Sequence, residues 1–194
     1  MNDVIQCITE RRAIRKYRKE QIREEDLQDI LQAGLYAPSA GGRQSVLFVV
    51  CQNAEVNERL GGINRSAMFQ GWTRPTGFYV SKEQPSIIDD RSITSAFYGA
   101  PTVITLFDTR GRYADCDCAV AAENLMLAAH SLGIGSCMVG RAAEAFSEDY
   151  GKQLLAHWKI SEEYVPVCHV VLGYLDGPHP KGKPRKDGRI IRCD

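Results

Sequence analysis

The sequence has no long hydrophobic run and no excess of charge of either sign. Among its 194 residues, Lys plus Arg and Asp plus Glu both number 24, so the formal net charge is zero. A chain without net positive charge has no general attraction for nucleic acid or for an anionic membrane surface. No apolar stretch reaches the roughly 18 residues needed to span a bilayer. These absences predict a protein without nucleic-acid or membrane partners and favour the cytoplasm.

The sequence also lacks the marks of a disulfide scaffold, a metal centre or a secreted chain. Seven cysteines are an odd number, and the chain is long enough to bury a core without cross-links. The N-terminal residues MNDVIQCITERR contain no apolar segment typical of a signal peptide. The motif DCDC, residues 115–118, is a weak metal signal because tetrahedral sites use C-x-x-C pairs or suitably spaced histidines. We therefore expect reduced thiols and no metal.

Hydrophobic spacing predicts one domain, residues 1–194, built of mixed helices and strands. The predicted helices begin near Asn2 or Asp3, extend from the acids at 24–26 to Pro38 at the latest, follow the cap Asn53, and cover 117–132 and about 143–157. The predicted strands are the β-branched runs 45–51, 101–108, 136–140 and 165–174. The runs 45–51 and 101–108 do not alternate, so we expect them to be buried on both faces. An α/β or α+β sandwich with a mostly buried sheet follows.

Two segments depart from ordinary surface patterns. Residues 117–132 are apolar on nearly every side, which predicts a helix in the middle of the molecule or in a subunit interface. Residues 64–85 are irregular and longer than most structureless connections, which indicates a functional loop or lid.

Three features could bind an anion or the polar edge of a ring. RRAIRKY, residues 11–17, places four cations after the first helix; APSAGGRQ, residues 37–44, is a Gly-containing turn; and residues 177–194 form a basic tail with too few apolar side chains to fold alone. Backbone amides and guanidinium groups form charge-assisted hydrogen bonds worth roughly 1.5 to 3 kcal/mol each. Taken singly, the cluster is also typical of a solvated helix end and the turn of an ordinary connection.

The order of these segments resembles the FMN-dependent nitroreductase family. The similarity runs through ERRAIRKY, ILQAGLYAPSAGGRQSVLFVV, YGAPTVITL, AENLMLAAHSLGIGSCMVG, VVLGYLDG and KGKPRKDGRIIR, and omits roughly residues 52–95. It implies an α+β fold, a three-layer α-β-α sandwich with a mixed central sheet, in an intertwined homodimer with FMN at the interface. The tail, residues 177–194, would then dock at the cofactor and dimer interface.

The resemblance also implies which residues contact the cofactor. Arg11 and Arg15 stand where the family has phosphate and flavin cations, and Arg12 is expected to be a neighbour without a direct role. The loop at 135–137 is expected to face the flavin from the partner side, and residues 183 and 185 to reach the phosphate. The full set is Arg11, Arg12, Ala13, Arg15, Pro38, Ser39, Ala40, Gly42, Gln44, Gly135, Ser136, Cys137, Lys183 and Arg185.

Several positions differ from the family pattern. Ala13 replaces a common Ser, Gly42 replaces the usual Asn, and Ser45 and Val46 replace a Pro-Trp pair. Asn64 and Arg65 match only loosely a segment that contacts the pyrimidine edge. These differences concern the choice of acceptor, which the loop at 64–85 would also influence, more than the fold.

The function implied by the resemblance is an FMN-dependent NAD(P)H oxidoreductase. NADH or NADPH would reduce the flavin, and a nitroaromatic, quinone or other electron-poor small molecule would reoxidise it in a ping-pong cycle. The flavin would perform the redox chemistry and Arg15 would stabilise its reduced form, with no side chain acting as nucleophile or base. A flavin-thiol exchange at Cys137, a non-catalytic flavin-binding protein for storage, delivery or sensing, and a fold that binds no flavin are the alternatives.

Overall fold

The computed structural model describes residues 1–69 and 82–193. The helices are α1 Asp3–Glu10, α2 Glu24–Leu35, α3 Ala54–Met68, α4 Ala114–Ser131, α5 Ala142–Ser147 and α6 Asp149–His157. The strands are β1 Leu47–Cys51, β2 Thr102–Thr109, β3 Gly135–Val139 and β4 Tyr164–Gly173. The sequence placed all four strands and the first two helices within a few residues of these bounds, and the α+β class is confirmed.

Local chemistry explains where the helices begin and end. The Asn2 side chain accepts hydrogen bonds from the first backbone N–H groups of α1, and Asn53 does the same for α3. Three acids in the first turn of α2 stabilise its positive end. Helix α2 ends at Leu35, before the proline at 38 that disfavours further helix.

The four strands form one antiparallel sheet in the order β1-β2-β4-β3. The prediction of a mixed sheet is therefore wrong for the described residues, in which the parallel pairing found is an isolated bridge between Ala13 and Ser136. Strands β2 and β4 lie in the centre, and β1 and β3 are the edges. Strand β2 is buried almost throughout, whereas β1 is half-buried because it has a neighbour on one side only.

Alternate residues of the central strands face two separate cores. On one face, Ile104 of β2 and Val170 of β4 pack with α2 and α4 around Leu125. On the other face, Val103 and Val171 pack with residues of α3, α5 and α6. Helices thus cover both faces, which confirms the three-layer α-β-α arrangement.

A buried histidine lies in the second of these cores, the one between the sheet and helices α3, α5 and α6. The Nδ1 atom of His169 on β4 lies 2.9 Å from the Thr105 hydroxyl on β2, and its ring contacts Phe97 at 4.7 Å between centroids. Burial lowers the pKa of His169 to about 3, so the ring stays neutral at physiological pH. This histidine contributes to packing and needs no catalytic role.

Two helical predictions need correction. Helix α3 continues to Met68, so residues 64–68 are helical and do not belong to an irregular loop; residues 70–81 of that loop lie outside the described part. The segment near 143–157 forms two helices, α5 and α6, because Glu148 takes an extended conformation between them. Helix α4 contacts α2 and three strands, as expected for a central helix, and still exposes Val120.

Candidate functional site

The cationic segment, residues 11–17, runs along the edge of the sheet and forms backbone hydrogen bonds there, beside β3 and the end of β4. The backbone N–H of Ile14 donates to the carbonyl oxygen of Ser136 at 2.9 Å, and Arg18 N–H donates to the Tyr174 carbonyl at 2.9 Å. The side chain of Ile14 is buried in the second core. The segment is therefore an anchored extended strand and not a solvated helix end.

Arg15 is held by contacts on several sides. Its backbone N–H donates to Gln84 Oε1 at 2.5 Å, and its Nη1 donates to the Gln84 carbonyl oxygen at 3.3 Å. Its guanidinium carbon lies 5.9 Å from the centroid of the Tyr98 ring. Burial raises the pKa of the Tyr98 hydroxyl, so this neighbour is a neutral phenol at physiological pH. Arg15 is thus a half-buried cation in a fixed position.

A cavity of about 190 Å³ separates the cationic segment from the C-terminal tail. Its lining includes five cations and, among the described residues, one carboxylate, that of Asp89; the cations are Arg12, Arg15, Lys181, Lys183 and Arg185. The Nε of Arg12 is buried and has no hydrogen-bond partner in the described part of the chain. An excess of donors with positive charge fits an anion with several oxygen atoms, such as a phosphate.

Gly182 explains how the tail approaches so closely. A Cβ atom at this position would come within 2.7 Å of the guanidinium carbon of Arg12. A side chain here would require the Arg12 guanidinium group to move, so glycine lets the tail backbone pass close to Arg12 in its present position. The six residues around Gly182 are exposed apart from Pro180, so the tail lies on the surface and folds against its own chain here.

A second cavity, of about 280 Å³, adjoins the first because both are lined by Arg15 and Ser86. Its other walls are mostly apolar side chains and backbone, although Asn64 and the cation Arg141 are also in the lining; the rest are Met68, Ile87, Ile88, Ala96, Tyr98, Cys137, Met138, Val139 and Gly140. Together the two cavities offer a cationic end and an apolar end that meet at one arginine. Such a site fits an elongated ligand with an anionic group at one end and a flat ring at the other.

The strand that contains residues 135–137 lies beside these cavities in the same chain. Ser136 pairs with Ala13, and Cys137 lines the apolar cavity, so the expected loop is strand β3 and adjoins the cationic segment of its own chain. Burial raises the pKa of the Cys137 thiol, although Arg15 partly opposes this shift. A protonated thiol is a poor nucleophile, which disfavours thiol chemistry at this position.

Arg11 and Arg12 lie on different sides of the cationic segment, and the Nε atom of each is buried without a hydrogen-bond partner in the described part of the chain. The Nε atom of Arg11 lies 3.7 Å from Glu123 Oε1 on α4, and Arg11 does not line the cationic cavity. Arg12, expected to be a bystander, lines it. Residues 64 and 65 also diverge: Asn64 lines the apolar cavity and donates to the Gly140 carbonyl at 3.0 Å, whereas Arg65 turns away to the carbonyl of Arg91 at 2.9 Å.

The turn at 38–44 has an unusual backbone that is fixed by polar side chains. Gly41, Gly42 and Gln44 all have positive φ angles, of 65°, 65° and 52°. The Ser39 hydroxyl accepts a hydrogen bond from Gln44 N–H at 2.9 Å. Nothing lies within 4 Å of a Cβ built at either glycine, so the left-handed backbone, and not crowding, requires glycine there.

Asp117 of α4 holds the other side of this turn. Its carboxylate oxygens accept from Ala40 N–H at 3.0 and 3.2 Å, and one of them lies 3.2 Å from Arg43 Nη2. Only 6% of the Asp117 side chain is exposed. The sequence offered Asp117 only as part of the weak DCDC motif; Gln84 was missed because it falls in the segment taken as an irregular loop.

The turn and the cationic cavity lie far apart in one chain. The turn leads into β1, at one edge of the sheet, while Ala13 and Ser136 lie at the opposite edge, three strand spacings or about 14 Å away. The two sites are also displaced along the strands. The start of β1 lies level with Pro166 of β4, whereas Ser136 pairs with Leu172 of β4. The distance along β4 between these two levels is about 20 Å. The structure therefore brings together the sequence-predicted residues 12–15, 136–137, 183 and 185, and separates them from 38–44.

Two kinds of feature are absent from the described part of the chain. Within residues 1–69 and 82–193, no group of three or more His, Cys, Asp or Glu side chains is arranged to hold a metal ion. In the same part of the chain, every helix is too short or too polar to cross a bilayer.

Comparison with known proteins gives a consistent result. Residues 8–174 match the Nitroreductase family. A protein of Methanothermobacter thermautotrophicus, provisionally named NADH dehydrogenase/NAD(P)H nitroreductase, is 30% identical over 172 residues, which cover 89% of this chain and 77% of that protein. An NADPH-flavin oxidoreductase of Vibrio harveyi is 27% identical over 192 residues, covering 98% of this chain and 73% of the relative.

Solved structures extend the similarity to the fold. A nitroreductase from Bacteroides fragilis, crystallised with bound FMN, superposes with a TM-score of 0.81 at 28% identity, and each chain covers 100% of the other. A nitroreductase with bound FMN from Desulfitobacterium hafniense gives the same TM-score, identity and coverage.

Proposed function

Because the chain belongs to the nitroreductase family, we propose that it is an FMN-dependent oxidoreductase that uses NADH or NADPH to reduce an electron-poor small molecule. Nitroaromatics and quinones are the acceptor classes that we expect. The observation on which the proposal rests is the pair of joined cavities, one cationic and one apolar, that meet at Arg15.

The residues present fit FMN. The phosphate would lie among Arg12, Lys183 and Arg185, where positive charge outweighs the single carboxylate of Asp89. Each charge-assisted hydrogen bond there contributes roughly 1.5 to 3 kcal/mol. The ring would lie in the apolar cavity, against Met138, whose side chain is 42% exposed in the single chain.

Arg15 has the position needed to tune the cofactor. When bound, FMN supplies hydride chemistry, accepting a hydride from a nicotinamide and passing two electrons to the acceptor. Arg15 is a fixed, half-buried cation at the junction of the two cavities. In a site of low dielectric, such a cation favours a negatively charged neighbour over a neutral one. Arg15 would thereby stabilise the reduced, anionic cofactor.

The separation of the turn from the cavities supports a homodimer. If residues 38–44 also contact the flavin, they contact that of the partner, because about 14 Å across the sheet and 20 Å along it separate them from their own chain's cavities. Helix α1 supports the same proposal, since Val4, Ile5 and Ile8 are exposed and none of its residues is buried.

The tail would complete that assembly. Ile190 and Ile191 are each 86% exposed in the single chain, and one edge of β1 has no strand partner among the described residues. Residues 183–185 can close over the phosphate of their own chain while the following residues reach across to a second copy. We propose that residues 177–194 dock in this way at the cofactor and dimer interface.

The test begins with the visible absorption spectrum of the purified protein, followed by release of any chromophore by heat and its identification. We expect one FMN per chain, bleaching under anaerobic conditions on addition of NADH or NADPH, and recovery of the spectrum on addition of a quinone or nitroaromatic. A protein that binds FMN but is not reduced by either nucleotide would be a flavin-binding protein without this turnover. A colourless protein that takes up no added FMN would refute the proposal.

A further inference from the structure

The turn at 38–44 depends on one buried carboxylate outside it. Asp117 accepts from Ala40 N–H and pairs with Arg43, which itself donates from Nε to the Ala40 carbonyl at 3.1 Å. These contacts join both the N–H and the carbonyl group of Ala40 to α4, the first directly through the carboxylate and the second through the guanidinium group. The turn conformation, with three positive φ angles, is therefore stabilised by contacts with α4, which packs on one face of the sheet.

The two glycines of the turn are exposed. No atom lies within 4 Å of a Cβ at Gly41 or Gly42. The turn also lines a cavity of about 190 Å³ whose walls include Pro38, Ser39 and Asp117. Asp117 thus contacts the turn at Ala40 and Arg43 and leaves the glycine backbone accessible to a ligand.

Burial of the Asp117 carboxylate carries a cost in folding free energy. Burying a carboxylate is unfavourable unless hydrogen bonds and an opposite charge compensate, and here the described partners are one backbone amide and one arginine that is 42% exposed. The neighbouring Asp115 lies in the same first turn of α4, is exposed, and provides the same charge to the positive end of the helix. Stabilising the helix end therefore does not require Asp117.

We propose that Asp117 is a positioning residue for the flavin: it fixes the 38–44 turn so that the exposed backbone of the turn contacts the cofactor ring of the partner chain. This inference rests on the proposed function. It assigns to the DCDC motif a role that is neither metal binding nor redox chemistry. It also explains how a turn with Gly42 in place of a side-chain amide can retain a defined shape.

The decisive comparison uses the full-length protein and two ligands, FMN and riboflavin, each titrated into protein freed of flavin. Riboflavin lacks the phosphate, so a contact to the ring changes both affinities by the same factor. We expect Asp117→Ala to weaken both by at least tenfold. Asp115→Ala, from the same helical turn, should leave both within twofold of the parent protein.

Two further variants keep the test valid if Asp117→Ala folds poorly. Asp117→Glu preserves the charge but pushes the turn outward by one methylene, and we expect at least a fivefold loss for both ligands. Asp117→Asn keeps an oxygen acceptor for Ala40 N–H, and we expect it to restore most of the affinity lost in the alanine variant. Thermal unfolding of the flavin-free variants, measured in parallel, separates a lost contact from a lost fold.

The outcomes distinguish this inference from the proposed function. If the parent protein binds no flavin, the proposed function fails. If the parent binds FMN and both Asp117→Glu and Asp117→Ala bind it as tightly as Asp115→Ala, only the positioning role fails. A loss confined to FMN, with riboflavin unchanged, would also overturn it, since it would place the effect at the phosphate.

Discussion

Ala13 and Ser136 form an isolated parallel bridge, and the Ile14 N–H next to it donates to the Ser136 carbonyl oxygen at 2.9 Å. This pairing fastens the cationic segment to an edge strand that is itself part of the sheet. Arg15 therefore reaches the junction of the two cavities from a backbone that is fixed by hydrogen bonds, and a change of its side chain should leave that backbone in place.

Arg15→Ala should weaken FMN binding and lower the reduction potential of the bound flavin. Removal of one charge-assisted hydrogen bond costs roughly 1.5 to 3 kcal/mol, or about 10- to 150-fold in affinity. The potential falls because the reduced, anionic cofactor loses its cation. Redox titration against a reference dye measures the shift. Arg18→Ala is the matched control, because the Arg18 side chain is 61% exposed and its ion-pair partner is Glu20. An unchanged potential in Arg15→Ala would remove the role assigned to Arg15.

The double variant Lys183→Ala/Arg185→Ala should discriminate between FMN and riboflavin. Loss of two cations at the phosphate should reduce FMN affinity by about 100-fold, taking roughly 1.4 kcal/mol for each cation. Riboflavin affinity should stay within twofold. The control, Lys152→Ala/Lys159→Ala, removes the same charge from exposed positions outside the tail. Equal losses for both ligands would place these two side chains away from the phosphate.

Ile5→Asp/Ile8→Asp should dissociate the proposed dimer. These side chains are 51% and 48% exposed on a helix that buries none of its own residues. Placing two carboxylates in an apolar interface costs several kcal/mol. Sedimentation velocity should show a monomer with reduced FMN content, whereas Gln6→Asp, an exposed position on the same helix, should remain dimeric. A dimer that survives the double change would show that α1 lies outside the interface.

The buried His169 should make stability depend on pH. Its pKa is about 3 in the folded state and about 6.5 when unfolded. Between these two pH values the unfolded chain therefore binds a proton that the folded chain does not bind. Stability is then complete above pH 6.5 and falls as the pH drops toward 3, by at most about 1.4 kcal/mol per pH unit. The measurement is urea unfolding between pH 4.5 and 7.

The same experiment on His169→Gln should give a shallower pH slope, since glutamine does not titrate and can still reach the Thr105 hydroxyl. His157→Gln, at an exposed position of α6, should leave the slope unchanged. Identical slopes for all three proteins would mean that His169 titrates in the folded state as it does in the unfolded state.

The sequence predicted the elements well where one local signal decides them. Asn2 and Asn53 cap helices, Pro38 limits α2, and β-branched runs mark the strands. It erred where pairing partners decide the outcome. No local pattern shows that β1 lies at an edge with half-exposed side chains, or that Glu148 interrupts a helix.

Some residues of the candidate site could likewise be predicted from the sequence, and others could not. The resemblance in the order of segments singled out Arg15, Lys183 and Arg185 among the cations, and the structure brings them to one cavity. The sequence could not show that Arg12 lines this cavity while Arg11 lies near Glu123, because Glu123 belongs to a helix more than 100 residues away. Gln84 and Asp117 were overlooked for the same reason: each acts through a backbone group distant in sequence.

The turn at 38–44 and the cationic cavity lie at opposite edges of the sheet, and this separation makes cofactor binding depend on protein concentration. In the proposed dimer, one chain alone holds only part of the site, so FMN occupancy and association of two chains are coupled by mass action. Dilution should release cofactor and separate chains together, and added FMN should draw chains into pairs. A cell that makes little of this protein would then keep a larger share of it as cofactor-free single chains, so its activity would rise more steeply than its amount.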